Sequence, residues 1–120
     1  MLAPDQTALA VLAVRRGDVV TIAPQGDLGK PRPALVIQSD LFDVHPSVTI
    51  LPITSELREA PVFRIALPLG EGTGLAKPSQ VMVDKSQSIP REKIGSVCGH
   101  LDDETMLAVN RALAVFLGFA

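Results

Sequence analysis

Aromatic residues are scarce in this chain, which has four phenylalanines and neither tryptophan nor tyrosine among its 120 residues. Its core must therefore be aliphatic, and the hydrophobic fraction of 47% is ample for one domain. The scarcity also argues against nucleic-acid modules that bind by stacking bases on aromatic side chains.

A strong charge of either sign is also absent, since 11 basic and 13 acidic residues leave a formal net charge of -2. Without a global basic field, the chain can bind nucleic acid only through a local basic patch. Cys98 is the single cysteine, which excludes an intrachain disulfide and fits a reducing cytoplasm. The two histidines, His45 and His100, are isolated in the sequence, so we predict no metal site.

The N-terminal region carries a short apolar run at residues 8–14. This run is too short to span a bilayer, and no positive charge precedes it as in a signal peptide. We therefore predict a cytoplasmic protein without a membrane segment. Residues 1–14 are interpreted as an N-terminal extension that can form a short helix, and residues 15–120 as a single domain.

Hydrophobic patterning predicts several short strands followed by one helix. The strands are expected at residues 19–23, 34–38, 48–54, 62–67, 79–83 and 94–98. Asp102 is predicted to cap the helix, and Gly118 suits its end. This order predicts a mainly β fold, in which a strongly bent sheet or half-open barrel packs against a C-terminal helix.

The most informative segment is Gly29-Lys30-Pro31-Arg32-Pro33, directly before an apolar strand. Arg32 follows one proline and precedes another, so its backbone is stiff and biased toward extended conformations. A permanently charged, forked donor on a stiff backbone suits a phosphate or a carboxylate. On this segment alone, a rigid strand entry with a solvated arginine is the simpler interpretation.

Further polar residues lie at the ends of other predicted strands. Thr54 and Ser55 close one strand, and Gln80 lies at the start of a later one, flanked by Lys77, Ser79 and Lys85. If these strands pair, their ends can converge on one rim, where arginine and hydroxyl groups can stabilise a pentavalent phosphorane. RNA supplies its own nucleophile, the 2′-OH, so such a site could work without metal or cysteine. The alternative is that the hydroxyls bond nearby backbone and the lysines are solvated surface charges.

In their order and spacing, these segments resemble the MazF/PemK-type toxins of bacterial toxin–antitoxin systems. The resemblance runs from about residue 16 to residue 117 and rests on residues 16–20, 32–37, 52–55, 80, 84–85, 94–95 and 101–104. It implies an SH3-like β-barrel with a C-terminal helix, assembled as a homodimer and neutralised by a cognate antitoxin. It also implies a cofactor-free, metal-independent mRNA interferase that cuts single-stranded RNA, leaving a 2′,3′-cyclic phosphate and a 5′-OH.

The resemblance further implies that Arg32 and Thr54 are the catalytic residues. Arg32 is expected to neutralise the scissile phosphate and assist proton transfer to the leaving oxygen, and Thr54 to hydrogen-bond a non-bridging oxygen. The residues expected to bind RNA are Lys30, Ser55, Lys77, Ser79, Gln80 and Lys85. The chain departs from the family pattern because Ser79 stands where some members have a carboxylate and Met82 stands where arginine is common.

Two other functions stay open at the level of sequence. One is a gyrase-poisoning toxin like CcdB, which shares the fold, and the other is a non-catalytic SH3-like interaction module. The pair formed by Arg32 and Thr54 favours the ribonuclease over the gyrase poison. The scarcity of aromatic residues counts against the interaction module, because SH3-type grooves have aromatic walls.

Overall fold

The computed structural model describes residues 13–23, 29–70 and 72–120, and these residues form seven strands and one helix. The strands are β1 (Asp18–Ile22), β2 (Arg32–Val36), β3 (Ser47–Thr54), β4 (Arg64–Leu67), β5 (Ser79–Met82), β6 (Gln87–Pro90) and β7 (Ile94–His100), and the helix is α1 (Asp103–Leu117). Three short 3₁₀ turns lie at Asp40–Phe42, Val83–Lys85 and Arg91–Lys93. The predicted extension lies outside the described residues except for Ala13 and Val14, as does most of the loop 24–31.

The strands form one antiparallel sheet in the order β4-β5-β3-β2-β1-β7, and β6 also pairs with β3. Strand β3 is the centre of the arrangement. One of its edges pairs with β2, and the other pairs first with β6 and then with β5. The Val83–Lys85 turn lies between these two partners of β3. Strands distant in sequence are thereby brought side by side at the C-terminal end of β3.

The sheet confirms the mainly β prediction, but it is not a closed barrel. Strands β4 and β7 are its two edges, and they do not pair with each other within the described residues. The connection from β4 to β5 reaches β7 instead, where the His100 N–H donates to the Gly72 carbonyl over 2.8 Å. Gly99 allows this approach, because an added Cβ would collide with the backbone of Gly72 and Thr73. The edge of β7 therefore contacts this loop, at a position where pairing with another strand would close a barrel.

Alternating side chains divide the core into two clusters, one on each face of the sheet. The first cluster joins the helix to the sheet through Val19, Leu35, Leu51, Ile53, Val81, Leu101, Met106, Val109 and Leu113, among others. The second cluster, on the other face, contains Val14, Val20, Ala34, Val36, Val48, Ile50, Ile89 and Ile94. Val14 thus packs against the domain, although the sequence placed it in the N-terminal extension.

The ends of α1 follow the signals in the sequence. Asp102 caps the helix, since its carboxylate accepts the Thr105 N–H over 2.7 Å, and hydrogen bonds from Thr105 lower the pKa of Asp102. Leu101 and Met106 are both buried in the first cluster, as a hydrophobic staple requires. Gly118 ends the helix in the left-handed conformation, with a φ of 85°. No helix in the described part of the chain is long and apolar enough to cross a membrane.

All six predicted strands are present, and one further strand was missed. That strand, β6, has the sequence Gln-Ser-Ile-Pro, with one buried residue and no alternating apolar pattern. Strand β4 begins at Arg64, two residues later than predicted, and β7 extends to His100. The omission of β6 matters for the site, because β6 supplies part of the groove described below.

Candidate active site

One row of residues crosses the sheet from edge to edge on the face opposite the helix. The cross-strand partners along it are Ile94 with Ile22, Ile22 with Arg32, Thr54 with Gln80, and Gln80 with Ala66. The pairing of β2 with β3 ends at Ala34 opposite Pro52, and Arg32 and Thr54 each lie two residues beyond that pair, on the same face. Directly opposed residues in antiparallel strands share a face, and side chains two apart along a strand do as well. Arg32, Thr54 and Gln80 therefore lie along one face of the sheet, with Thr54 and Gln80 directly opposed.

Arg32 is the first residue of β2, and its side chain is exposed. The prolines on either side fix its backbone and remove two possible ladder donors. Within the described residues, no hydrogen bond or ion pair occupies its guanidinium group. None of its five N–H donors is occupied by a residue that the structure describes, and they suit an anion.

Thr54 is the last residue of β3, and its side chain is half-buried. Its Oγ1 accepts the N–H of Glu56 over 3.0 Å, in the local turn that follows the strand. Since the backbone N–H can only donate, the hydroxyl hydrogen stays free to point elsewhere. Ser55 follows directly and is exposed. Thr54 can therefore donate one hydrogen bond to an oxygen placed above the row.

Gln80 is held in a network that the sequence did not reveal. Its Oε1 accepts the Arg58 N–H and one N–H of Arg64, each over 3.1 Å, and its Nε2 donates to the Arg58 carbonyl over 3.0 Å. Arg64 also donates to the Glu56 carbonyl over 3.0 Å. This network joins β4, β5 and the segment after β3. Arg64 carries no local signal in the sequence, because only the pairing of β4 with β5 brings it beside Gln80.

A groove of about 440 Å³ lies beside Arg32 on the same face. Strand β6 supplies one wall through Gln87 and Ile89, and Lys93 adds a second cation. Its floor is apolar, and its lining residues are Ile22, Ala23, Gly29, Arg32, Pro33, Ala34, Ile50, Pro52, Gln87, Ile89, Pro90 and Lys93. The groove has the charge and the apolar surface to hold an anionic group beside a flat ring.

The remaining predicted site residues differ in exposure and in the face of the sheet on which they lie. Lys30 is exposed two residues before Arg32, next to the groove residue Gly29. Lys77 and Lys85 are exposed, and Lys85 lies 3.9 Å from the carboxylate of Asp84. Ser79 is buried on the helix side of the sheet, opposite Leu67, and its hydroxyl donates to the Lys77 carbonyl over 2.9 Å. The structure therefore does not bring Ser79 into the row, since successive residues of a strand face opposite sides.

The histidines do not take part in this site. His100 lies at the far end of β1 and β7, where its Nδ1 is 2.8 Å from the carboxylate of the buried Asp18. The Nδ1 of His45 accepts the Ser47 N–H over 3.1 Å in the loop before β3. Among the described residues, no group of three or more His, Cys, Asp or Glu side chains is placed to hold a metal ion.

Comparisons with known proteins show the family to which this chain belongs. Residues 15–117 match the family described as PemK-like, MazF-like toxins of type II toxin-antitoxin systems. The chain belongs to this family. A relative from Mycolicibacterium smegmatis, named as a probable endoribonuclease MazF, is 44% identical over 108 residues, which cover 89% of this chain and 99% of the relative. The endoribonuclease EndoA of Bacillus subtilis is 28% identical over 111 residues, which cover 88% of this chain and 96% of EndoA.

The fold of the PemK/MazF family is also found in solved structures. A mycobacterial endoribonuclease in complex with its cognate antitoxin superposes with a TM-score of 0.74 at 25% identity, covering 90% of this chain and 98% of that one. MazF of Deinococcus radiodurans, crystallised with MazE, gives the same TM-score at 21% identity and supports the fold alone. The MazF/PemK-type fold predicted from the sequence, mainly β with a C-terminal helix, is therefore confirmed.

Proposed function

We propose that this protein is the toxin of a toxin–antitoxin pair, and that it cleaves single-stranded RNA at the row formed by Arg32, Thr54 and Gln80. The observation that carries the proposal is that two donors lie on one face of the sheet: the Arg32 guanidinium, which has no partner among the described residues, and the Thr54 hydroxyl, whose hydrogen is free to donate. Family membership over residues 15–117 and the endoribonuclease relatives support the same activity.

The proposed reaction is an internal transfer within the RNA. The 2′-OH attacks the adjacent phosphorus and loses its proton, the bond from phosphorus to the 5′ oxygen breaks, and that oxygen gains a proton. The products are a 2′,3′-cyclic phosphate and a 5′-OH end. The negative charge grows on the non-bridging oxygens in the transition state, so donors aimed at these oxygens lower the barrier.

Arg32 supplies the main electrostatic stabilisation in this proposal. Its guanidinium stays protonated at neutral pH and can donate two parallel hydrogen bonds to phosphate oxygens. It is therefore a charge clamp rather than a general base, because a group that never loses its proton cannot accept one. Thr54 donates its hydroxyl hydrogen to one non-bridging oxygen.

RNA would extend from the row along the basic parts of this face. Gln80 offers an amide donor, and Ser55 lies next to Thr54. Exposed lysines at 30, 77 and 85 are proposed to bind phosphates, a sequence-independent attraction that falls with added salt. The groove beside Arg32 can take a nucleotide next to the cleaved bond. We leave Ser79 out of the proposed site, since it lies buried on the other face.

The proposed partners follow from the relatives, one of which was solved with its cognate antitoxin. We propose a cytoplasmic homodimer that an antitoxin binds and blocks, with residues 15–120 forming the toxin domain and residues 1–14 an extension. No observation favours the gyrase poison or the interaction module in the same way. Neither function would need guanidinium and hydroxyl donors together on one face of the sheet.

The test is cleavage of a long single-stranded RNA by purified protein in the presence of EDTA. We expect cleavage at defined sites with 5′-OH ends, and Arg32→Ala should reduce the rate by at least about 100-fold, as for loss of one preorganised transition-state donor. Arg111→Ala is the matched control, because Arg111 is exposed on the helix and lies on the other side of the sheet. Intact RNA with folded wild-type protein would overturn the proposed function, and an Arg32→Ala variant as active as wild type would overturn the site.

A further inference from the structure

Arg64 and Gln80 form a hydrogen-bonded unit at the edge of the proposed site. One guanidinium nitrogen of Arg64, Nη1, donates to Gln80 Oε1 over 3.1 Å and to the Glu56 carbonyl over 3.0 Å. The Arg58 backbone completes the unit, with its N–H donating to the same Oε1 and its carbonyl accepting from Nε2. The amide of Gln80 is thus bound at both of its ends.

These partners allow only one orientation of the Gln80 amide. The Arg64 guanidinium and the Arg58 N–H can only donate, so the group facing them must be the amide oxygen. A flipped amide would set its NH₂ group against both donors and its oxygen against the Arg58 carbonyl. The two acceptor positions of Oε1 are then filled, and one hydrogen of Nε2 remains. Toward a ligand, Gln80 is therefore a donor and not an acceptor.

Arg64 itself has features that a purely structural arginine would not need. It is half-buried, and no carboxylate within the described residues forms an ion pair with it. Its Nε has no exposed surface and no hydrogen-bond partner among those residues. Removing a charge from water without a counter-ion is costly. A nearby phosphate would offset this cost, so the surroundings of Arg64 favour an anionic ligand on this face.

We propose that Arg64 is a positioning residue that determines sequence specificity by holding Gln80 as a single N–H donor toward the RNA. The inference rests on the proposed function, and it specifies which class of RNA base the site selects. A free glutamine can contact adenine with donor and acceptor together. The held Gln80 cannot accept from the exocyclic amino group of adenine or cytosine, whereas its N–H can donate to O6 of guanine or O4 of uracil, which occupy the same place on the base. Since the Gln80 N–H contacts that exocyclic group in this proposal, one position of the cleaved motif is a keto base.

The experiment sequences the 5′-OH ends produced from a random single-stranded RNA pool by four proteins: wild type, Arg64→Met, Gln80→Ala and the double variant. Arg64→Met keeps the unbranched side chain but removes the donors and the charge. We expect its preference for guanine or uracil at one motif position to fall by about tenfold, within the range for loss of a directed base contact. Arg111→Met is the matched control for charge, and it should keep the wild-type motif.

The double variant distinguishes positioning from direct contact. If Arg64 acts through Gln80, then Arg64→Met changes the motif in the wild-type background but has no further effect on it once Gln80 is alanine. Arg64→Lys retains one donor and should restore part of the preference. A second, independent measurement follows the side-chain amide protons of Gln80 by NMR, which should exchange with water faster in Arg64→Met than in wild type.

Each result decides the proposal. A wild-type protein that gives no 5′-OH ends would overturn the proposed function, and this inference with it. Cleavage by wild type with an unchanged motif in Arg64→Met would overturn the role of Arg64 alone, as would a motif without a keto base at any position. If Arg64→Met does not fold, Gln80→Glu replaces it, because this variant keeps the acceptors for Arg64 but has no donor. An undiminished keto preference in Gln80→Glu would also overturn the inference.

Discussion

Replacement of Thr54 by valine should remove the chemistry of the site while leaving the fold in place. The two side chains have nearly the same shape, so the variant exchanges only a hydroxyl group for a methyl group. In the folded protein that hydroxyl accepts one exposed hydrogen bond, from the Glu56 N–H. Water can take its place there, so we expect a loss of about 0.5–1 kcal/mol in the free energy of unfolding.

The expected effect on catalysis is much larger. Since Oγ1 accepts from Glu56, its hydrogen is the part left for the phosphate. Removal of one preorganised donor to a developing oxyanion typically reduces kcat by about 100- to 1,000-fold, or roughly 2.7–4 kcal/mol. Single-turnover cleavage of a short fluorescent RNA measures this rate, and thermal unfolding measures the stability of the same samples.

Thr54→Ser is the matched control, because it keeps the hydroxyl and removes only a methyl group. It should retain the rate to within about tenfold, which corresponds to about 1.4 kcal/mol in the barrier. Two results would refute the reasoning. One is a Thr54→Val protein that cleaves as fast as wild type. The other is a serine variant that is as inactive as the valine variant although both are folded.

Three further predictions concern the scaffold, and thermal unfolding tests each of them. Asp102→Ala should lower the Tm at neutral pH. Hydrogen bonds from Thr105 lower the pKa of Asp102 below its ordinary 3.8, so its contribution is present above that pH and is lost as pH falls through the lowered pKa. The difference in Tm between wild type and Asp102→Ala should therefore disappear on acidification. A difference that stays constant with pH would contradict this role of Asp102. Gly99→Ala should cost about 1–3 kcal/mol, because its Cβ would collide with the backbone of the neighbouring loop. Arg91→Met should cost about 1–3 kcal/mol, because buried Arg91 donates to two backbone carbonyls, and an unchanged Tm would contradict that role.

Local signals predicted most of the fold. Proline and glycine marked the turns, β-branched runs marked the strands, and Asp102 and Gly118 marked the ends of the helix. Strand β6 was not predicted because it is short, mostly polar and ends in proline. Only its pairing with β3 makes it a strand. The degree to which the sheet closes could not be predicted for a related reason. Closure depends on contacts between elements far apart in sequence, and here the edge of β7 meets a loop instead of a strand.

The candidate site shows the same division between local and non-local information. Two flanking prolines make Arg32 conspicuous, but only its order and spacing with Thr54 and Gln80 favoured a role in catalysis. Ser79 was misleading, since it lies next to Gln80 in the sequence but on the other face of the sheet. Arg64 gave no local signal at all. Its place beside Gln80 follows from the register of β4 and β5, which a single sequence does not specify.

The arrangement of the two faces explains how such a site can coexist with a stable domain. The face toward the helix carries the first cluster, in which Leu35, Leu51 and Val81 are fully buried. On the opposite face, the second cluster ends before Arg32, and β2 and β3 are no longer paired there. Polar groups at this place can remain exposed to solvent without opening a cavity in the core. Substitutions along the row should therefore change RNA cleavage far more than they change the Tm, whereas substitutions on the helix side should do the reverse.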